Sequence, residues 1–219
     1  MCGILGTSSN NSAYECYRGL LAIQHRGQDS AGILSFDGIV HQKKEKGLVL
    51  NIFNNEELSK LEGSKAIGHV RYPTAGTNTL CEAQPLFLSY PYGIGLAHNG
   101  NITNYQDLKL ELEEKHRCVH SKSDTEVMIN ILSEELMKND TFEAIKGTME
   151  RIEGSYSAVM MLPKKLIAFR DPYGNRPLVF GEKTNLDETA FSFSSESVGL
   201  DVNGYSLVRD LLPGEAIVV

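Results

Sequence analysis

The chain has 219 residues, a net charge of −7 and a pI of about 5.4, long enough to bury a substantial core in one generous domain or two small ones. No basic run exceeds the lysine pairs of HQKKEKG and LPKKLIAF, which excludes a nucleic-acid backbone as partner, and the longest apolar run, AVMML, is too short to span a membrane. Cys2, Cys16, Cys81 and Cys118 lack paired C-x-x-C spacing and follow no signal-like segment, so the chain reads as a cytoplasmic protein with reduced thiols.

No repeat, low-complexity stretch or Pro/Ser-rich linker interrupts the sequence, so a single compact domain is expected. In chain order, CGILGTS suits a buried strand. SAYECYRGLLAIQH follows as a helix that places Tyr14, Tyr17, Leu20 and Leu21 on one face. AGILSFDGIVHQ reads as a hairpin turning at Asp37-Gly38. AIGHVRY and GIGLAHNG are further strands. DTEVMINILSEELM is a helix facing inward through Val127, Ile131 and Leu132, and TFEAIKGTMERI another through Phe142, Ile145, Met149 and Ile152. SYSAVMMLPKKLIAFRD then gives two β-rich runs about a PKK turn, followed by the strands PLVFG and FSFSS. Runs of strands broken by blocks of helix, without strict β-α alternation, indicate an α+β fold with antiparallel sheets and helices on their outer faces.

Four places carry residue types suited to chemistry. Cys2 directly follows Met1; once Met1 is removed, one residue would carry a thiol and an α-amine of similar pKa, nucleophile and base together. The alternative is a small buried hydrophobe in an N-terminal strand. In AHNGN, Asn99 offers a side-chain N–H and Gly100 an unobstructed backbone N–H, the donors an oxyanion requires; an Asn-Gly turn is the other reading. Arg71, at the end of an apolar run in GHVRYPTAG, can hold a carboxylate bidentately, or simply face solvent. In SKSDTEVM, Ser123 and Glu126 have capping-box spacing, which leaves Asp124 at the helix start for a substrate ammonium. HRCVH is not expected to hold a metal: His116, Cys118 and His120 lack a fourth ligand and a second pair at motif spacing.

MCGILG, QHRGQDSAGI, GHVRYPTAG, AHNGNITN, SDTEV and RDPYGNRPL, in this order over nearly the whole chain, resemble the class II glutamine amidotransferases, whose glutaminase domain has the N-terminal nucleophile hydrolase fold, a four-layer αββα sandwich. Tyr72-Pro73 and PYGNRPL look most like the branch that passes ammonia to a phosphoribosyltransferase half in purine synthesis. Amino-sugar relatives usually show tryptophan and alanine after the arginine.

The resemblance implies Cys2 as nucleophile and Asn99 and Gly100 as the oxyanion hole. Arg71 would hold the glutamine α-carboxylate and Asp124 its ammonium, with Tyr72 and Thr74 in a loop closing over glutamine and Arg26 and Gly27 supporting the nucleophile. It implies amide hydrolysis through a glutamyl thioester, with no metal or organic cofactor. Residues 1–219 would be the glutaminase domain alone, the ammonia-accepting synthase or phosphoribosyltransferase domain being absent and activation requiring only loss of Met1. The oligomeric state stays open, a homo-oligomer included. Alternatives are the glutaminase domain of an amino-sugar or asparagine-type amidotransferase, and a catalytically silent glutamine-binding module.

Overall fold

A computed structural model describes residues 1–72, 80–185 and 188–219. The first half contains β1 (Gly3–Ser8), α1 (Ser12–Ala22), β2 (Ser30–Phe36), β3 (Val40–Lys46), the short helices α2 (Val49–Ile52) and α3 (Asn55–Ser59), and β4 (Lys65–Arg71). The centre supplies β5 (Leu86–Leu88), β6 (Ile94–Ile102) and the helices α4 (Tyr105–Glu114), α5 (Asp124–Leu136) and α6 (Thr141–Arg151). The remainder is β7 (Gly154–Leu162), β8 (Lys165–Arg170), β9 (Val179–Asn185), β10 (Glu188–Ser194), α7 (Val198–Asp201), β11 (Ser206–Asp210) and β12 (Ala216–Val218).

The strands form two sheets, a seven-stranded one in the order β11-β9-β10-β1-β4-β2-β3 and a five-stranded one in the order β12-β8-β7-β6-β5. All their pairings are antiparallel. Alternation along the strands sorts side chains to opposite faces. On β1, Ile4 joins the layer between the sheets while Leu5 packs under α1; on β4, Ile67 faces inward and Ala66 and Val70 outward. On β6 and β7, Ala97, Val159 and Met161 fill the space between the sheets, whereas Leu96, Tyr156, Ala158 and Met160 meet the helices. Helix α1 covers the larger sheet, and α5, flanked by α4 and α6, covers the smaller. The result is a four-layer αββα sandwich.

The helix faces differ from the sequence expectation in a consistent way. On α1 the buried residues are Ser12, Ala13, Cys16, Gly19 and Leu20, while Tyr14 is exposed. On α6 they are Thr141, Ala144, Ile145 and Thr148, and Phe142 lies outside. Small side chains let a helix axis approach closely, so they take the contact, and the large aromatics rotate to its margin. Helix α5 is buried on almost every side because it is sandwiched between the sheet and α4 and α6.

Candidate active site

The β1–β4 ladder brings the first candidates together. Gly3 pairs with Val70, so Cys2 and Arg71 follow one step beyond, at the same end of the sandwich. Period-two alternation puts Cys2 on the inner face with Ile4, Arg71 with Ile67, and Asn99 with Ala97. Three residues far apart in sequence therefore converge from both sheets.

The N-terminal segment is firmly held. Arg26 Nε donates to the Cys2 carbonyl oxygen at 2.9 Å, and its Nη1 meets Glu196 at 2.6 Å. Ile4 N donates to Ser195 Oγ at 3.0 Å, and Ser195 N returns a bond to Ile4 O at 3.0 Å. Gly27 packs so tightly on the β4 terminus that a Cβ would lie 2.5 Å from the Arg71 carbonyl carbon, a place only glycine can occupy. Arg26 and Gly27 thus hold the Cys2 segment, Arg26 through the Cys2 backbone, and neither is among the residues lining the cavity beside Cys2.

The Cys2 sulfur lies 3.5 Å from Tyr72 N, which donates to it, and 3.7 Å from Tyr72 O, to which the thiol donates. Burial pushes the thiol up from its ordinary value, opposed by the Tyr72 N–H, the positive N-terminus and Arg71. A thiol shifted this way requires a base to become a thiolate. Among the described residues no histidine hydrogen-bonds to it. His98 instead faces Thr125, with Nδ1 3.2 Å from Oγ1, and burial lowers its pKa, reinforced by Arg176 and opposed by Asp124.

Beside Cys2 lies a cavity of about 220 Å³ whose wall includes Arg71, Tyr72, Glu82, Gln84, Gly100, Tyr105, Lys122, Ser123 and Asp124. Gly100 stands opposite Tyr156 in the β6–β7 ladder, where a Cβ would come within 2.6 Å of Tyr156 Cα; the missing side chain lets the strands pair this closely while Gly100 lines the cavity. Asn99 is 2 % exposed, and its Nδ2 has no hydrogen-bond partner among the described residues. An unpaired buried amide is costly, and it leaves Asn99 Nδ2 available as a donor next to Gly100, which lines the cavity. Asp124 opens α5, accepts from Ile102 N at 3.2 Å, and lies 3.7 Å from His98 Nδ1. Thr74 falls outside the described residues.

Two local expectations need correction. Ser123 is the N-cap of α5 but makes no side-chain cap bond. Glu126 reaches back to His120 N (2.9 Å) and Ser121 N (2.7 Å), because the preceding loop presents two free N–H groups. The capping box is therefore not formed, although Asp124 keeps its place at the helix start. Arg71 does not stand free either: it pairs with Asp29 at 3.0 Å and with buried Glu82 at 2.5 Å. Asp29, Glu82, Gln84, Tyr105, Lys122 and Glu196 are site residues that the sequence reading did not single out. Asp29 lies inside the quoted QHRGQDSAGI, and an acid in the short CEAQPL segment was the available signal for Glu82.

A cysteine at the start of a central strand, an amide and glycine on the facing sheet, and an Arg/Asp pair about one cavity define an N-terminal nucleophile hydrolase site on the matching fold. A family model described as "Glutamine amidotransferase domain" matches residues 71–201, and the chain belongs to that family. It is 44% identical over 237 residues to amidophosphoribosyltransferase of Escherichia coli K12, covering 100% of this chain and 46% of that protein. It is 42% identical to the Saccharomyces cerevisiae protein of the same name, with the same coverage. Among solved structures, one described as the allosteric regulatory enzyme of purine biosynthesis superposes with a TM-score of 0.90 at 34% identity, covering the whole chain and 47% of that one. The B. subtilis glutamine phosphoribosylpyrophosphate amidotransferase complexed with ADP and GMP gives 0.87 at 34%, with the same coverage. The chain spans about half the length of the curated relatives it matches.

Proposed function

We propose that this chain hydrolyses the side-chain amide of glutamine. Removal of Met1 converts the Cys2 peptide nitrogen into an α-amine, which takes the thiol proton as sulfur attacks the amide carbonyl. The oxyanion is received by Asn99 Nδ2 and Gly100 N–H. The proton then passes to the departing nitrogen, ammonia leaves and a glutamyl thioester remains. Water, with the same amine as base, cleaves it to glutamate and the free thiol. Arg71 takes the α-carboxylate and Asp124 the ammonium of glutamine, Tyr72 and Thr74 close over it, and Arg26 and Gly27 keep Cys2 in place. The observation that carries this reading is the buried, unpartnered Asn99 amide on the strand facing Cys2; no metal or organic cofactor enters the scheme.

The names of the relatives support a wider reading. Residues 1–219 serve as the glutaminase domain, and the ammonia is used by a phosphoribosyltransferase half outside them, in the cytoplasm, at the entry to purine synthesis.

The decisive experiment is a glutaminase assay paired with intact mass on one preparation. Protein lacking Met1 is expected to release ammonia and glutamate in equal amounts, and Cys2→Ser to release neither. Full turnover in protein that retains Met1 would remove the α-amine from the mechanism. Tight glutamine binding without turnover in the trimmed protein would favour a regulatory module.

A further inference from the structure

The charges around the cavity do not balance as a simple arginine clamp requires. Arg71 is already held between two carboxylates, Asp29 at 3.0 Å and Glu82 at 2.5 Å, and all three side chains are about nine-tenths buried or more on the side-chain scale. This trio carries a net charge of −1, and Asp124 on the same wall adds another negative charge. An incoming α-carboxylate would thus meet a guanidinium whose charge is more than cancelled, and like charges at these separations repel. The segment 73–79, PTAGTNT, contains no ionisable side chain to correct the balance.

Lys122 is a further cation on this wall. It lines the cavity next to Ser123 and Asp124, in the loop that Glu126 anchors through His120 N and Ser121 N. Among the described residues its ammonium makes neither an ion pair nor a hydrogen bond, whereas Lys60, Lys115 and Lys183 are all paired. Resting on the reading of this cavity as the glutamine site, we infer that Lys122 is a substrate-binding residue, a second cation that receives the α-carboxylate alongside Arg71. It offsets one of the two excess negative charges when substrate enters and selects amides that carry a free carboxylate. Asp124 and Lys122, two positions apart, then form an acid and a base matched to the two ends of a zwitterionic amino acid.

The test uses trimmed protein and two probes, glutamine and 4-aminobutanamide, which keeps the amine and amide of glutamine and lacks its carboxylate. Lys122→Met is expected to raise KM for glutamine by about two- to fivefold at low salt, the range of a solvent-accessible charge pair, and Lys122→Glu to raise it further. Lys122→Arg should restore it. The kcat for glutamine and the rate on 4-aminobutanamide should stay at wild-type values in the methionine variant, and added salt should narrow the KM difference. An unchanged KM in Lys122→Met and Lys122→Glu, or equal losses on both probes, would overturn the inference while leaving the glutaminase reading intact. Failure of the unaltered protein to hydrolyse glutamine would instead overturn that underlying reading.

Discussion

The Arg26 guanidinium bonds to the carbonyl oxygen of Cys2 at 2.9 Å and to Glu196 at 2.6 Å, so a residue near the end of the chain fixes the position of its second residue. The contact is to backbone and leaves the Cys2 side chain free to react. Arg26→Lys replaces a planar fork by a point donor that cannot serve both partners at once. We predict a drop in kcat of about tenfold or more, with a smaller change in KM, since misplacing the nucleophile weakens the transition state more than binding. Glu196→Gln should produce a milder loss of the same kind. Steady-state kinetics on correctly trimmed protein would show it, and a change confined to KM would exclude a positioning role.

Arg71 and Asn99 should separate binding from chemistry. Arg71→Ala is expected to weaken glutamine by roughly 2 to 5 kcal/mol, and also to lower stability, because it leaves buried Glu82 and Asp29 without their cation. Asn99→Ala should lower kcat by about 10² to 10³. It should leave stability within about 1 kcal/mol, because no hydrogen bond of the Nδ2 group is lost. Kinetics and urea melts on the two variants would decide, and a large stability loss in Asn99→Ala would make it a structural residue.

Reactivity of the thiol offers a pH test in protein that retains Met1. Burial raises the Cys2 pKa, so its thiolate fraction grows at higher pH than in an unhindered thiol. Alkylation of Cys2 by iodoacetamide, followed by peptide mass, is expected to climb with pH later than that of N-acetylcysteine in the same tube. Coincident profiles would show that the thiol is not shielded.

Acid should unfold the protein partly through His69. Burial lowers its pKa to about 3, with His98 and Arg71 adding to the effect, while in the unfolded chain it titrates near ~6.5. Between these values the unfolded state binds a proton that the folded state refuses, so stability is full above about pH 6.5 and falls as pH drops toward 3. The loss from His69 alone between pH 7 and pH 5 is on the order of 2 kcal/mol. His98, also lowered by burial, acts in the same direction. Urea unfolding at both pH values would measure the sum, and equal midpoints would contradict it.

Much of the fold was legible because alternation and helical periodicity write themselves into the residue order. The CGILGTS, AIGHVRY and GIGLAHNG strands lie where their patterns put them, and the hairpin of β2 and β3 turns at Asp37, Gly38 and Ile39. Helix α4 was not anticipated, since in YQDLKLELEE only Leu108 and Leu112 are buried, too thin an apolar stripe to stand out. Helix faces were misjudged at Tyr14 and Phe142, where hydrophobicity says nothing about how closely a backbone must approach its sheet. Motif order drew attention to Cys2, Arg71, Asn99 and Asp124, and the structure places all four at one end of the sandwich. The pairing of Glu82 with Arg71, and of Glu196 with Arg26, depends on how distant segments fold back. No local pattern encodes that, and Glu126 shows the converse, a local pattern overridden by better-placed donors.

Strand β1 runs between β4 and β10, with Leu5 opposite both Gly68 and Ser194. The first strand is therefore an interior one, and one of its two neighbours comes from the far end of these 219 residues. Until β10 and the Ser195–Glu196 turn arrive, β1 has an open edge, and Cys2 has lost two of the contacts that hold its segment in place. The site is thus assembled from both ends of these 219 residues: sequence-distant pairing slows its formation relative to the helices, and a chain cut short before residue 188 would carry Cys2 without a settled place to hold it.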